Sequence, residues 1–142
     1  MATREQVVET ARKYIGVSWR HQGRSSGSGI DCIGLVALVL RDLDLSQYDY
    51  THYARRGADV KFLEHFREAG CTPVPRGDMS PGDLLIFKQS VMSCHVAILS
   101  QKRGVLYIIH AHATRRAVVE EPLTDEWMRL AWHVLRLPGL ED

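Results

Sequence analysis

The chain lacks any close-spaced pair of cysteines. Its three, Cys32, Cys71 and Cys94, are odd in number and far apart, which argues against a disulfide framework and against a zinc-ribbon pattern. No apolar run approaches the roughly 20 residues of a membrane helix. Lys plus Arg (18) nearly cancel Asp plus Glu (17), leaving +1, so bulk electrostatics give no reason to expect a nucleic-acid partner. The start, Met1-Ala2-Thr3-Arg4-Glu5, turns polar at once. A secretory leader is therefore not expected, and synthesis in the bacterial cytoplasm without a signal peptide is. There is no internal repeat and no low-complexity segment.

What is present describes one ordinary globular domain over residues 1–142, with 45% apolar and 25% charged residues. Thr3-x-x-Gln6 reads as a capping box, and Val7, Val8, Ala11, Tyr14 and Ile15 follow at helical spacing up to Gly16. Gln22 to Ile30 reads as a flexible polar loop. A second, buried helix is predicted from Asp31 to Leu40 or Arg41, and Leu45 to Arg56 reads as irregular. A third helix is predicted over Asp59–Ala69, with Phe62, Leu63 and Phe66 inward. From Cys71 onward the pattern becomes strand-like: Leu84–Lys88, His95–Ser100, Val105–Ala111, Ala117–Glu121 and Trp132–Leu137, with a short helix over Thr124–Leu130. Turn signals at Lys102-Arg103-Gly104 and Thr114-Arg115-Arg116 predict hairpins. Helices first and antiparallel strands second make an α+β layout.

Within that layout Cys32 stands out. It lies where a Gly- and Ser-rich loop gives way to the apolar run Ile33–Leu40, with Asp31 as the N-cap candidate. A thiol in a first helical turn faces unpaired backbone N–H groups and the positive end of the helix dipole, both of which favour thiolate. His95 and His110 lie far downstream in strand-like segments. A cysteine at a helix start with histidines from separate strands is the arrangement of a thiol hydrolase, with His95 as base and His110 holding its ring. His112 shares a strand face with His110 and is a second candidate for that holding role. Three histidines and a thiolate also raise a zinc alternative, without any known ligand spacing to support it. Trp19, followed by Arg20-His21-Gln22-Gly23, is a candidate oxyanion donor beside the Cys32 N–H. Gly27-Ser28-Gly29 lacks the lysine of a phosphate loop. Cys94 should point away from its neighbour His95 and be structural.

These residues resemble a known group. Asp31-Cys32-x-Gly34-Leu35-Val36, Pro81-Gly82-Asp83-Leu84-Leu85-Ile86-Phe87, His95-Val96-Ala97-Ile98 and Ile109-His110-Ala111 follow, in order, the motifs of the NlpC-type peptidoglycan cysteine peptidases. Tyr14 to Arg20 fits the segment before the nucleophile. The resemblance is closer to phage-encoded cell-wall peptidases of tail modules and gene transfer particles. Its cues are Arg20 to Arg24, Gly82 to Phe87, Ile109 to His112 with Arg116 to Glu120, and Leu137-Pro138-Gly139. It implies a papain-like fold without cofactor or metal, with Cys32 as nucleophile, His95 as base and His110 as the polar third member. Trp19, Asp31, His21 and His112 would serve the oxyanion and substrate. It also implies cleavage of a stem-peptide amide, typically γ-D-glutamyl-diaminopimelate, docking to a tail hub or tail-tip protein, and delivery to the periplasm with the particle. Trp19 stands where many relatives carry a tyrosine, and Ile33 where a serine is common.

Overall fold

The computed structural model describes residues 1–49, 51, 62–90 and 93–141. Helix α1 (Arg4–Arg12) opens on the expected box, Thr3 capping Gln6 and the Gln6 side chain returning to Thr3. It stops at Arg12, earlier than expected, and a turn carries the chain to Gly16. Helix α2 (Cys32–Asp42) follows, then α3 (Phe62–Glu68), whose expected beginning at Asp59 lies outside the described residues, as do Arg55 and Arg56. Phe62 and Phe66 are buried as expected, while Leu63 is half-buried.

Three short strands were not expected. Strands β1 (Arg24–Ser25) and β2 (Gly29–Ile30) form a miniature hairpin where the sequence reads as flexible loop. Glycine makes that hairpin possible: a Cβ on Gly23 would fall 2.2 Å from the Gly29 carbonyl oxygen, so the two backbones touch in a way no side chain permits. Strand β3 (Thr72–Val74) carries Pro73, and it escaped notice because proline removes a ladder donor. Here β3 is an edge strand, where that loss is tolerated.

The remaining strands are β4 (Leu84–Ser90), β5 (Ser93–Lys102), β6 (Val105–His112), β7 (Ala117–Pro122) and β8 (Ala131–Arg136), with α4 (Asp125–Leu130) before β8. They form one antiparallel sheet in the order β3-β8-β4-β5-β6-β7. The β5–β6 turn has Arg103 and Gly104 both at positive φ, the signature of a two-residue hairpin loop.

Both faces of the sheet are covered, which is why Leu84, Leu85, Ile86 and Phe87 run as an unbroken apolar string with no exposure. Leu84, Ile86, Val96, Ile98 and Ile109 face the core shared with α1, α2 and α3. Leu85, Phe87, Ala97, Leu99 and Ile108 face the α4 side, under Trp127 and Met128. No described helix is long and apolar enough to cross a membrane.

Candidate active site

The site is created by a fork in the sheet. The β5–β6 ladder begins at Lys102↔Val105 and ends at Ile98↔Ile109. On their other edges β5 stays paired to β4 as far as Cys94 and beyond, and β6 to β7 as far as His112. Residues 95–97 of β5 and 110–112 of β6 therefore have no ladder partner across the gap. Backbone groups left unpaired by the sheet need other partners, and the N-terminus of α2 supplies one. The Cys32 thiol takes a hydrogen bond from the Val96 N–H.

The start of α2 is held for this. One carboxylate oxygen of Asp31 accepts from the Gly34 N–H at 2.8 Å and from Arg24 at 3.2 Å, and the other accepts from the Gln22 N–H at 2.8 Å. The cap uses the Gly34 N–H, so the N–H groups of Cys32 and Ile33 remain directed at the thiol. Gly34 is required by contact: a Cβ there would lie 2.2 Å from the Gly23 carbonyl oxygen.

His95 precedes Val96 and turns to the α4 side of β5, against Phe87 and Trp127. Its Nε2 lies 2.7 Å from His110 Nδ1, bridging the fork. His110 has no exposure. Trp127, from α4, stands edge-on to His110 at 5.3 Å between ring centres. The helix-borne thiol is thus held at the Val96 N–H, one residue from His95, whose imidazole lies on the other face of β5.

Burial dominates the electrostatics. It pushes the Cys32 thiol up to about 12, helped by the Asp31 charge and opposed by the three backbone N–H groups. Burial also holds His95 well below its ordinary value, assisted by the proximity of His110 and His112, and lowers His110 to about 4 despite its bond to Glu121. Burial thus favours the neutral forms of both the Cys32 thiol and the His95 imidazole. The backbone N–H groups of the helix terminus act toward the thiolate, as its position in the sequence implies, and desolvation acts the other way and is the larger effect.

A family model matches residues 16–136, and its description is the NlpC/P60 family. The chain belongs to the NlpC/P60 family. This is a family of peptidoglycan hydrolases of the cysteine-peptidase type, and the fold agrees. An NlpC/P60 family protein from Bacillus cereus ATCC 10987 aligns with a TM-score of 0.70 and 20% identity, over 96% of this chain and 41% of that one. A protein described as similar to lipoprotein, NLP/P60 family, from Staphylococcus aureus subsp. aureus Mu50 aligns at 0.66 and 19%, over 98% and 42%. The NlpC/p60 domain of the peptidoglycan hydrolase SagA aligns at 0.64 and 24%, over 96% and 100%. The chain thus spans about two fifths of the first two proteins and the whole of the SagA domain. No curated protein sequence matches it.

As an NlpC/P60 domain, the chain places its sequence-predicted residues unevenly. Cys32 reaches the Val96 N–H, and the adjacent His95 bonds to His110 across the fork. His112 lies beside them, its ring 5.8 Å from His95, yet it makes no hydrogen bond to His95, and its buried Nδ1 has no partner. The bond to His95 is made by His110. Asp31 spends both oxygens inside the chain. Trp19 runs alongside Ile30, with its backbone N–H donating to the Arg116 carbonyl, and packs against the same core as Cys32 and Ile33. His21 is half-buried in the turn before the β1–β2 hairpin. Cys94 packs on the helix side of β5, opposite His95, as its strand position requires. Among the described residues, no group of three or more His, Cys, Asp or Glu side chains has the placement of a metal site.

Two neighbours were missed in the sequence. Glu121 accepts a hydrogen bond from His110, and Trp127 walls off the histidines. Glu121 reads from sequence as one more strand carboxylate, and Trp127 as a helix core residue, so no local signal marks either.

Proposed function

We propose that this domain hydrolyses a stem-peptide amide of peptidoglycan, the γ-D-glutamyl-diaminopimelate bond, through a thioester. The observation that carries the reading is the fork, where the Cys32 thiol sits against Val96 and the adjacent His95 is gripped by His110. His95 Nε2 is engaged, so Nδ1 is the nitrogen left for the thiol proton. Sγ attacks the carbonyl carbon as that proton passes to Nδ1. The C–N bond breaks when the proton passes on to the leaving amine. Water, deprotonated by His95, then releases the acid and restores the thiol. The Cys32 N–H and the Trp19 indole take the oxyanion. His112, whose buried Nδ1 lacks a partner, contacts the substrate together with His21, and Asp31 holds the helix entrance.

The same sequence resemblance supports a tail-borne enzyme that docks on a hub or tip protein, is made in the cytoplasm and reaches the periplasm with its particle. Detection of the chain in purified particles tests that reading, and its confinement to the cytosolic fraction would overturn it. A second reading, a catalytically weak structural component of such a tail, is favoured by Trp19, which stands where many members of the resembled group carry a tyrosine. Digestion of diaminopimelate-type peptidoglycan by wild type and Cys32→Ala, read by mass spectrometry, separates the two. Fragments cut between D-glutamate and diaminopimelate by wild type alone support the peptidase, and silence from both folded proteins supports the structural component.

A further inference from the structure

The bond from His110 to Glu121 makes the histidine pair a chain of three. Residue 121 lies diagonally across from His110, since β6 and β7 pair His110 with Val119 and Ile108 with Glu121, and such diagonal neighbours are within reach of long side chains. Glu121 Oε2 lies 2.8 Å from His110 Nε2, and Arg115 stands 3.7 Å from its other oxygen.

We propose that Glu121 is a positioning residue: it sets the tautomer of His110 and, through it, the tautomer of His95, leaving the Nδ1 of His95 bare to receive the thiol proton. The inference rests on Cys32 and His95 being the catalytic pair.

The argument is one of donors and acceptors. An ionised carboxylate only accepts, so His110 carries its proton on Nε2. A neutral imidazole has one N–H, so His110 Nδ1 is then an acceptor. The only way to make the 2.7 Å bond to His95 is for His95 Nε2–H to donate. His95, neutral as well, keeps its lone pair on Nδ1. The opposite polarity would put a proton on His95 Nδ1 and leave the thiol no base. Two imidazoles alone allow both polarities, because each ring can donate or accept. The carboxylate breaks that symmetry. Burial raises the Glu121 carboxyl, but the hydrogen bond from His110 and the Arg115 guanidinium leave it below its ordinary value, so it is the ionised acceptor the chain requires. The other rings around His110 are His95 and His112, whose neutral forms burial favours, and the indole of Trp127, set perpendicular to it.

The test uses the full chain labelled with 15N-histidine. Long-range 1H–15N spectra near neutral pH report the tautomers of His95 and His110 in wild type, Glu121→Gln and Glu121→Leu, beside kcat and KM on a stem peptide. In wild type both rings carry their proton on Nε2. In Glu121→Leu we expect His95 to lose the Nε2–H form and kcat to fall about ten- to a hundredfold, within the range of general-base effects, with KM nearly unchanged. Glu121→Gln, whose amide oxygen can accept the same bond, recovers kcat to the extent that it recovers the tautomer. Support is kcat tracking the His95 tautomer across the three proteins. A loss of kcat in Glu121→Leu with both rings still protonated on Nε2, or an altered tautomer with wild-type kcat, overturns the proposal. Full activity of Cys32→Ala would instead sink the catalytic pair, an outcome that leaves the tautomer spectra readable on their own.

Discussion

His95 and His110 are joined across the open end of the β5–β6 ladder by a 2.7 Å bond between Nε2 and Nδ1. Where the ladder holds, residues facing each other across these strands are fixed by backbone hydrogen bonds. Beyond Ile98↔Ile109 that restraint ends, and the imidazole pair takes over the spacing. The bond that fixes the His95 ring therefore also spans the gap between the two strands, and the consequences can be separated by experiment.

Replacement of His110 should distinguish orientation from bulk. His110→Asn offers an amide oxygen to His95 Nε2–H, whereas His110→Leu offers nothing. We expect Asn to cost about tenfold in kcat and Leu a hundredfold or more, out of the roughly 10²–10⁴ that a positioned base supplies. Steady-state kinetics with melting curves for both variants check this; equal losses would show that the hydrogen bond is not what His110 contributes.

Thiol reactivity reports the resting state of the couple. With the Cys32 thiol pushed up to about 12 and His95 lowered, alkylation of Cys32 by iodoacetamide at neutral pH should be slower than that of an unstructured peptide thiol and should keep rising above pH 9. Peptide mapping separates Cys32 from Cys71 and Cys94. A rate already on a plateau near pH 5 would reveal a thiolate–imidazolium pair instead.

Acid should weaken the fold through His110. Its folded value of about 4 lies below the ordinary 6.5, so the unfolded chain binds the proton more readily. That stability is fully present above about 6.5 and is lost as pH falls toward 4, amounting to about 3 kcal/mol. Burial drives His95 and His112 in the same direction. Urea midpoints across this window, compared with those of His110→Asn, measure it; a wild-type midpoint independent of pH would contradict the buried neutral state.

The entrance to α2 should be sensitive at two positions. Asp31→Ala removes the acceptor for the Gly34 and Gln22 N–H groups and the partner of Arg24, and we expect a loss of about 1–2 kcal/mol, with Asp31→Asn retaining much of the cap. Gly34→Ala drives a methyl group into the Gly23 carbonyl at 2.2 Å and should cost about 3 kcal/mol or more. Denaturant titration checks both, and a Gly34→Ala protein as stable as wild type would mean that the β1–β2 hairpin can move aside.

Much of this protein was legible along the chain because the causes are local. Thr3 and Gln6 close a capping box with each other, Asp31 caps the residue three positions on, Arg103-Gly104 make a turn whatever lies around them, and apolar strings such as Leu84–Phe87 announce a strand. Cys32, His95 and His110 could be singled out because each is a reactive residue at a position whose local structure was already readable. Tertiary structure alone decided the rest. The parting of β5 from β6, the choice of His110 over His112, the reach of Glu121 and the cover of Trp127 depend on residues distant in sequence, and no nearest-neighbour rule contains them. The sign of the thiol shift belongs with these. A helix terminus can be seen in the sequence, but desolvation is the sum of everything packed around a group, and here that sum is the larger effect.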